Sequence, residues 1–268
     1  MTTPAEDPDQ PAGSPEAAPA RQFPPAPVSP PLPPVPTNRT ELAAIIDHTQ
    51  LKPDATDEDI LKVCAEAVKL KVATVCVAPT HVYLAAASAR QGTRSAGSTE
   101  PPAYTVASVV GFPHGTHLSA VKVEETRRAI ADGASEIDMV IDIANAVDEN
   151  WAAIELEISQ VRGAAPAPVV LKVILETALL PDSIIRSACR AALAGGANFV
   201  KTSTGFHPAG GASLRAVRAM HSAVGGRLGI KASGGIRTAA QALAFVQAGA
   251  TRLGMSATAD VLSEMPPG

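Results

Sequence analysis

Cysteine is scarce in this chain, with Cys64, Cys76 and Cys189 the complete set, too few and too scattered for a disulfide framework or a zinc cluster. Positive charge is not in excess either. A formal net charge of -4 gives no electrostatic footprint for nucleic acid. No run of about 18 apolar residues occurs, which excludes a membrane-spanning helix. The first residues lack a basic segment followed by an apolar one, so no secretory signal is read there. Aromatic side chains make up only 3% of the 268 residues, while 46% are hydrophobic. That length fits one large domain, such as a single barrel, or two small ones. The expectation is a soluble, reduced, cytoplasmic protein.

Proline is abundant but unevenly spread, and more than half of the 24 prolines precede Asn38. Between them lie Ala, Ser, Asp and Glu with hardly any large apolar side chain. Such a segment cannot bury enough surface to offset its ordering entropy. Residues 1–38 are therefore read as a disordered Pro-rich tail, and residues 39–268 as the folded domain.

From there one rhythm repeats. The apolar runs are Leu42–Asp47, Ala73–Ala78, Tyr104–Gly111, Glu136–Ile143, Val169–Glu176, Phe199–Gly205, Gly229–Gly235 and Thr251–Ser256. They are continuous rather than alternating, as suits parallel strands buried on both faces. Helical patterns lie between them. Thr56 stands as a cap before Asp57, Glu58 and Asp59, and Ala120–Gly133, Asp148–Gly163, Asp182–Gly195 and Thr238–Gly249 space their apolar residues by three and four. Gly133, Gly195 and Gly249 stand where a left-handed cap turns the chain back to the sheet. A βα unit of just under thirty residues, repeated eight times, predicts an α/β fold of the TIM-barrel, (β/α)8 type. An open doubly wound sheet would carry a glycine-rich loop after its first strand, and Asp47-His48-Thr49-Gln50-Leu51-Lys52-Pro53 holds no glycine. Gln91–Pro102 reads as a long polar loop before the third strand.

The residues that spoil the strand pattern carry the functional signal. Lys172, Lys201, Lys231, Asp138 and Asp47 all fall in apolar runs. A lone buried charge is strongly unfavourable, so five of them imply a shared polar centre. Alternate strands share layers in such a barrel, which would put Asp138 with Lys201 and Lys172 with Lys231. Such a set either fills the barrel as an ion-pair network or tunes an amine. A lysine in low dielectric beside other cations loses its proton more readily, and only the neutral amine attacks a carbonyl. Three lysines followed by Gly/Ser-rich strand ends favour the second reading. Those ends, Thr202-Ser203-Thr204-Gly205, Ser233-Gly234-Gly235-Ile236-Arg237 and Gly254-Met255-Ser256, offer clustered backbone N–H groups for a phosphate. His114 and His117 lack a third partner, which argues against a metal-dependent aldolase or hydrolase. A ketose-phosphate or transaldolase-like Schiff-base barrel and a non-catalytic sugar-phosphate binder stay as alternatives.

Ile46-Asp47-His48-Thr49, Val75-Cys76-Val77, Val109-Val110-Gly111-Phe112-Pro113, Glu136-Ile137-Asp138-Met139-Val140, Leu171-Lys172-Val173-Ile174-Leu175-Glu176-Thr177, Lys201-Thr202-Ser203-Thr204-Gly205 and Lys231-Ala232-Ser233-Gly234-Gly235-Ile236-Arg237 together resemble the deoxyribose-phosphate aldolases, in order, across residues 39–260. The resemblance implies a class I aldolase without metal or cofactor, cleaving 2-deoxy-D-ribose 5-phosphate to acetaldehyde and D-glyceraldehyde 3-phosphate in deoxyribonucleotide catabolism. It implies Lys201 as the Schiff-base lysine and Lys231 as the cation that lowers its pKa. Asp138 would relay protons through a water, and Asp47 would support the lysine pair. Lys172, Thr49, Thr202, Gly205, Gly234, Gly235, Arg237, Gly254 and Ser256 would serve substrate or phosphate binding, with Cys76 near the pocket. A lysine found after Thr-Ser-Thr-Gly in some members is Phe206 here. The implied partners are small phosphorylated sugars and aldehydes, with a homodimer by analogy and neither nucleic acid nor membrane.

Overall fold

The computed structural model describes residues 32–91 and 102–268. Eight parallel strands close into a barrel in sequence order. They are β1 Ile46–Gln50, β2 Thr74–Val77, β3 Thr105–Val110, β4 Glu136–Val140, β5 Val170–Ile174, β6 Phe199–Lys201, β7 Gly229–Ser233 and β8 Arg252–Met255. The helices are α1 Arg39–Ala43, α2 Asp57–Leu70, α3 Val82–Gln91, α4 Ser119–Ala131, α5 Ile143–Val147, α6 Trp151–Ala164, α7 Asp182–Ala194, α8 Leu214–Val224, α9 Ala239–Gln247 and α10 Thr258–Ser263. The expected TIM barrel is the observed fold. No helix among the described residues is long and apolar enough to cross a membrane.

Strand alternation divides the side chains between two cores. Outward residues such as Val75, Met139, Val173, Val200, Ile230 and Leu253 join the apolar layer between sheet and helices. Inside, one wall is small and apolar, with Cys76, Ala107 and Val109 from β2 and β3. The opposite wall carries the charged residues.

Several boundaries differ from the sequence reading. The run Leu42–Asp47 is not one strand: Leu42 and Ala43 belong to α1, capped by the Asn38 side chain accepting from Glu41 N–H. A short apolar run fits a buried helix as well as a strand, and the cap decides. The run from Phe199 leaves the sheet after Lys201, and Asp148–Gly163 resolves into a helix starting at Trp151, with α5 ahead of it. Gly133 and Gly249 take the expected left-handed conformation at φ 113° and 115°. Gly195 does not; it stays helical, and Gly196 makes the turn at φ 87°.

The expected tail lies outside the described residues as far as residue 31, as does 92–101 of the expected Gln91–Pro102 loop. Residues 32–38, within the span expected as tail, are described. Val35 packs on the core, Pro36 is buried, and Thr37 N–H donates to the Glu41 carboxylate at 2.7 Å.

Thr56 caps α2 with a reciprocal pair of bonds: its hydroxyl accepts from Asp59 N–H, and the Asp59 carboxylate accepts from Thr56 N–H at 2.9 Å. Thr56→Ala is expected to lower Tm by about 2–4 °C, read by thermal denaturation, without changing turnover.

Candidate active site

The lysines of β5, β6 and β7 all aim at one carboxylate. Asp138 on β4 accepts from Lys172 of β5 at 2.8 Å, from Lys201 of β6 at 2.8 Å and from Lys231 of β7 at 2.7 Å. Asp47 on β1 accepts from Lys231 and from Arg252 of β8 at 2.9 Å. Lys172 also reaches Glu136 at 2.5 Å and Asp47 at 3.6 Å. The layers expected to be separate are therefore one network. Asp138 and Lys172 pair in register, as do Lys201 and Lys231, and the long lysine stems bridge the levels.

The charge count of this network matters. Three carboxylates, Asp47, Glu136 and Asp138, face four cations, Lys172, Lys201, Lys231 and Arg252. One positive charge is in excess. Lys172 touches three carboxylates, and Lys231 and Arg252 two each, whereas Lys201 touches Asp138 alone. Lys201 is thus the group whose deprotonation neutralises the cluster at the smallest loss of contacts. Burial pushes its pKa down, and the Lys231 ammonium pushes it further; Asp138 opposes without overcoming both. For Lys231 the balance reverses. Burial disfavours its charge, but Asp138 and Asp47 together hold its pKa above the ordinary lysine value. Lys172 is held up likewise, by Asp138 and Asp47. Burial would raise the Asp138 carboxyl, yet Lys172, Lys201 and Lys231 keep it well below the usual range, and Asp47 is lowered by Lys231, Lys172 and Arg252. One lysine of the three is tuned toward the free amine, and the other two stay charged.

Above Lys201 opens a cavity of about 380 Å³ at the C-terminal end of the barrel. Loops after β1, β6, β7 and β8 wall it, so Thr49, Gly205, Gly234, Gly235, Arg237, Gly254 and Ser256 are all brought to it. Lys172, Thr202 and Cys76 do not line it. Lys172 lies beneath, wholly inside the ion-pair network. The Thr202 hydroxyl accepts from Ser233 N–H at 3.0 Å and donates to Ser233 C=O at 3.2 Å, tying β6 to β7. Cys76 sits in the small apolar wall, its thiol pKa raised by burial. Asp138 and Lys231 are likewise covered, below the cavity floor.

Glycine is required where the loops meet. A Cβ on Gly211 would lie 2.3 Å from the Gly234 carbonyl oxygen, and Gly234 itself has φ 91°. At Gly254 a Cβ would collide with Lys231 Cε at 2.9 Å, so this glycine makes room for the lysine as well as lining the cavity.

Sequence reasoning missed other members. Glu136 and Arg252 stand in strands like the residues it picked, but at strand starts, where a charge reads as an edge residue. Glu176, buried, accepts from the Thr204 hydroxyl at 2.5 Å and holds the loop after β6. Lys52 and Asp260 join the cavity rim from the loop after β1 and from α10. Phe206 also lines the cavity, its ring edge-on to Phe112 at 5.2 Å between centroids.

A family pattern described as DeoC/LacD family aldolase matches residues 42–263. The chain belongs to that family. It is an aldolase, a carbon–carbon lyase. A protein of Frankia alni named deoxyribose-phosphate aldolase is 70% identical over 228 residues, covering 85% of this chain and 99% of its own. One of Corynebacterium diphtheriae with the same name is 52% identical over 229 residues, with the same coverage of each chain. Among solved structures, a deoxyribose-phosphate aldolase from Coccidioides immitis superposes with a TM-score of 0.79 at 38% identity, covering 87% of this chain and 89% of that one. A tetrameric deoxyribose phosphate aldolase from Aeropyrum pernix gives 0.73 at 30% identity, covering 84% and 91%.

Proposed function

We propose that this aldolase reversibly cleaves 2-deoxy-D-ribose 5-phosphate to acetaldehyde and D-glyceraldehyde 3-phosphate through an imine on Lys201. The single observation that carries this reading is the unequal sharing of carboxylates, which leaves Lys201 with one ionic partner and a lowered pKa under an open cavity. The names of the relatives supply the substrate.

Neutral Lys201 Nζ attacks the aldehyde carbon of the open-chain sugar, and loss of water from the carbinolamine leaves an iminium. The electron pair of the bond between the second and third carbons flows into that cation and forms an enamine. The third-carbon hydroxyl gives up its proton as that carbon becomes the aldehyde of the departing triose. A water reached by Asp138 takes it. Asp138 is too weak a base to store the proton, so it serves as relay and as anchor for three ammonium groups. Protonation of the enamine at the second carbon and hydrolysis return the free amine and acetaldehyde. Burial and the charged Lys231 beside it favour the neutral form of Lys201.

The phosphate is assigned to the open end of the cavity. There Gly205, Gly234 and Gly235 line the wall with bare backbone, and Lys52 and Arg237 bring positive charge against one carboxylate, Asp260. Phe206 leaves that charge to residues outside the loop after β6.

The test is trapping. Incubation with acetaldehyde and borohydride, followed by peptide mapping in a mass spectrometer, is expected to add an ethyl group, roughly 28 Da, to Lys201 alone. An adduct on Lys231 or Lys172 instead, or on none of them, contradicts the assignment.

A further inference from the structure

Ser233 ends β7 two residues after Lys231, so both side chains point into the barrel, with Ser233 one level nearer the mouth. Its backbone is fixed by its neighbours. The Thr202 hydroxyl bonds both its N–H and its C=O, and the Ser203 hydroxyl donates to the same C=O at 2.5 Å. Its side-chain oxygen stands in contrast. Ser233 is only 5% exposed and lines the cavity, yet its Oγ has no hydrogen-bond partner. It leans over Gly254, where an added Cβ would come within 2.3 Å of it. A buried hydroxyl without a partner is unfavourable by an amount comparable to a lost hydrogen bond, and such groups stand out in native structures. Here the orphan sits on a fixed backbone at the cavity wall, its Oγ covered beside Gly254.

We infer that the Ser233 hydroxyl is a substrate-binding group that hydrogen-bonds a hydroxyl of the acceptor half of the sugar, at its third or fourth carbon. The proposal rests on the imine at Lys201 put forward above. The reason for the acceptor half is position. Ser233 stands between the Lys201 amine below and the Gly234-Gly235 turn, assigned above to the phosphate, that follows it in the chain. A sugar bound at both ends spans that interval with its middle carbons. The donor half, once attached as an imine, has no hydroxyl to offer. Ser233 therefore discriminates polyhydroxylated acceptors from plain aldehydes and takes no part in forming the enamine.

Two reactions of the full-length enzyme separate these halves. One is cleavage of 2-deoxy-D-ribose 5-phosphate. The other is exchange of the methyl protons of acetaldehyde with deuterium oxide, followed by NMR, which needs the imine and enamine but no acceptor. In Ser233→Ala the ratio of cleavage kcat/KM to exchange rate is expected to fall about tenfold, the equivalent of ~1.4 kcal/mol. Ser233→Thr, which keeps a hydroxyl, is expected to retain more of the ratio than Ser233→Ala. An unchanged ratio in Ser233→Ala, whether both rates fall together or neither falls, overturns the inference. Absence of exchange in the unmutated enzyme would instead overturn the imine on Lys201.

Discussion

Lys201→Met is expected to reduce carbon–carbon cleavage by at least about 10⁴-fold and to abolish borohydride trapping, while the barrel stays folded. The thioether cannot form an imine, and nothing else at the cavity floor replaces it: Lys172 and Lys231 are buried under it with their charges held. The structural effect is small for an electrostatic reason. Removing one cation leaves Lys172, Lys231 and Arg252 against Asp47, Glu136 and Asp138, a balanced set, and Asp138 keeps two ammonium partners. A buried ion pair adds little net stability over an apolar replacement when no charge is stranded. Circular dichroism and a Tm within a few degrees of the unmutated enzyme would separate loss of chemistry from loss of fold. Residual turnover above one part in about 10³, with the fold intact, would place the nucleophile elsewhere.

Lys231→Met is the more diagnostic change. The same subtraction now removes the neighbour that helps strip Lys201 of its proton. With Lys231 gone, a charged Lys201 is needed to balance three carboxylates, so its pKa moves up toward the ordinary lysine value. The free amine is then a small fraction at neutral pH. The expected result is a fall in kcat/KM of about 10²-fold or more at pH 7, partly recovered as the pH is raised. The rising limb of the pH profile should move up by at least about one unit, since each unit corresponds to ~1.36 kcal/mol. Asp47 keeps Arg252 and Lys172, so neither carboxylate is left bare. A pH profile that keeps its shape while the rate falls would show that Lys231 acts some other way, as a proton donor for instance.

The barrel was legible because buried parallel strands write themselves as apolar runs and because the helices between them end in glycine. The lysines and aspartates were legible for the complementary reason, that a charge inside such a run has to be answered by another. What one dimension cannot supply is the reach of a side chain. Alternation assigned Asp138 and Lys172 to different levels, and the flexible lysine stem brings them to 2.8 Å. Arg252 and Glu136 escaped because a charged residue at the first position of a strand is ordinary, and only closure of β8 onto β1 turns Arg252 toward Asp47. Thr202 was drawn to the cavity by its place in Lys-Thr-Ser-Thr-Gly. Its side chain follows the opposite pleat and is spent on a cross-strand latch. The first strand slipped because Leu42 and Ala43 are as apolar as any strand residue, and Asn38 is what starts a helix there.

The bare-backbone contact of Gly205, Gly211 and Gly234 bears on how this enzyme can change its diet. A side chain at any of these three positions is disfavoured: Gly205 and Gly234 have positive φ, and Gly211 and Gly234 press directly on one another. Mutation cannot explore the wall they form without breaking it. Selection for a new aldehyde is thereby channelled to the rim, where Phe206 and Lys52 present exposed side chains. A barrel that has frozen one side of its mouth in glycine leaves its descendants to diversify along the other.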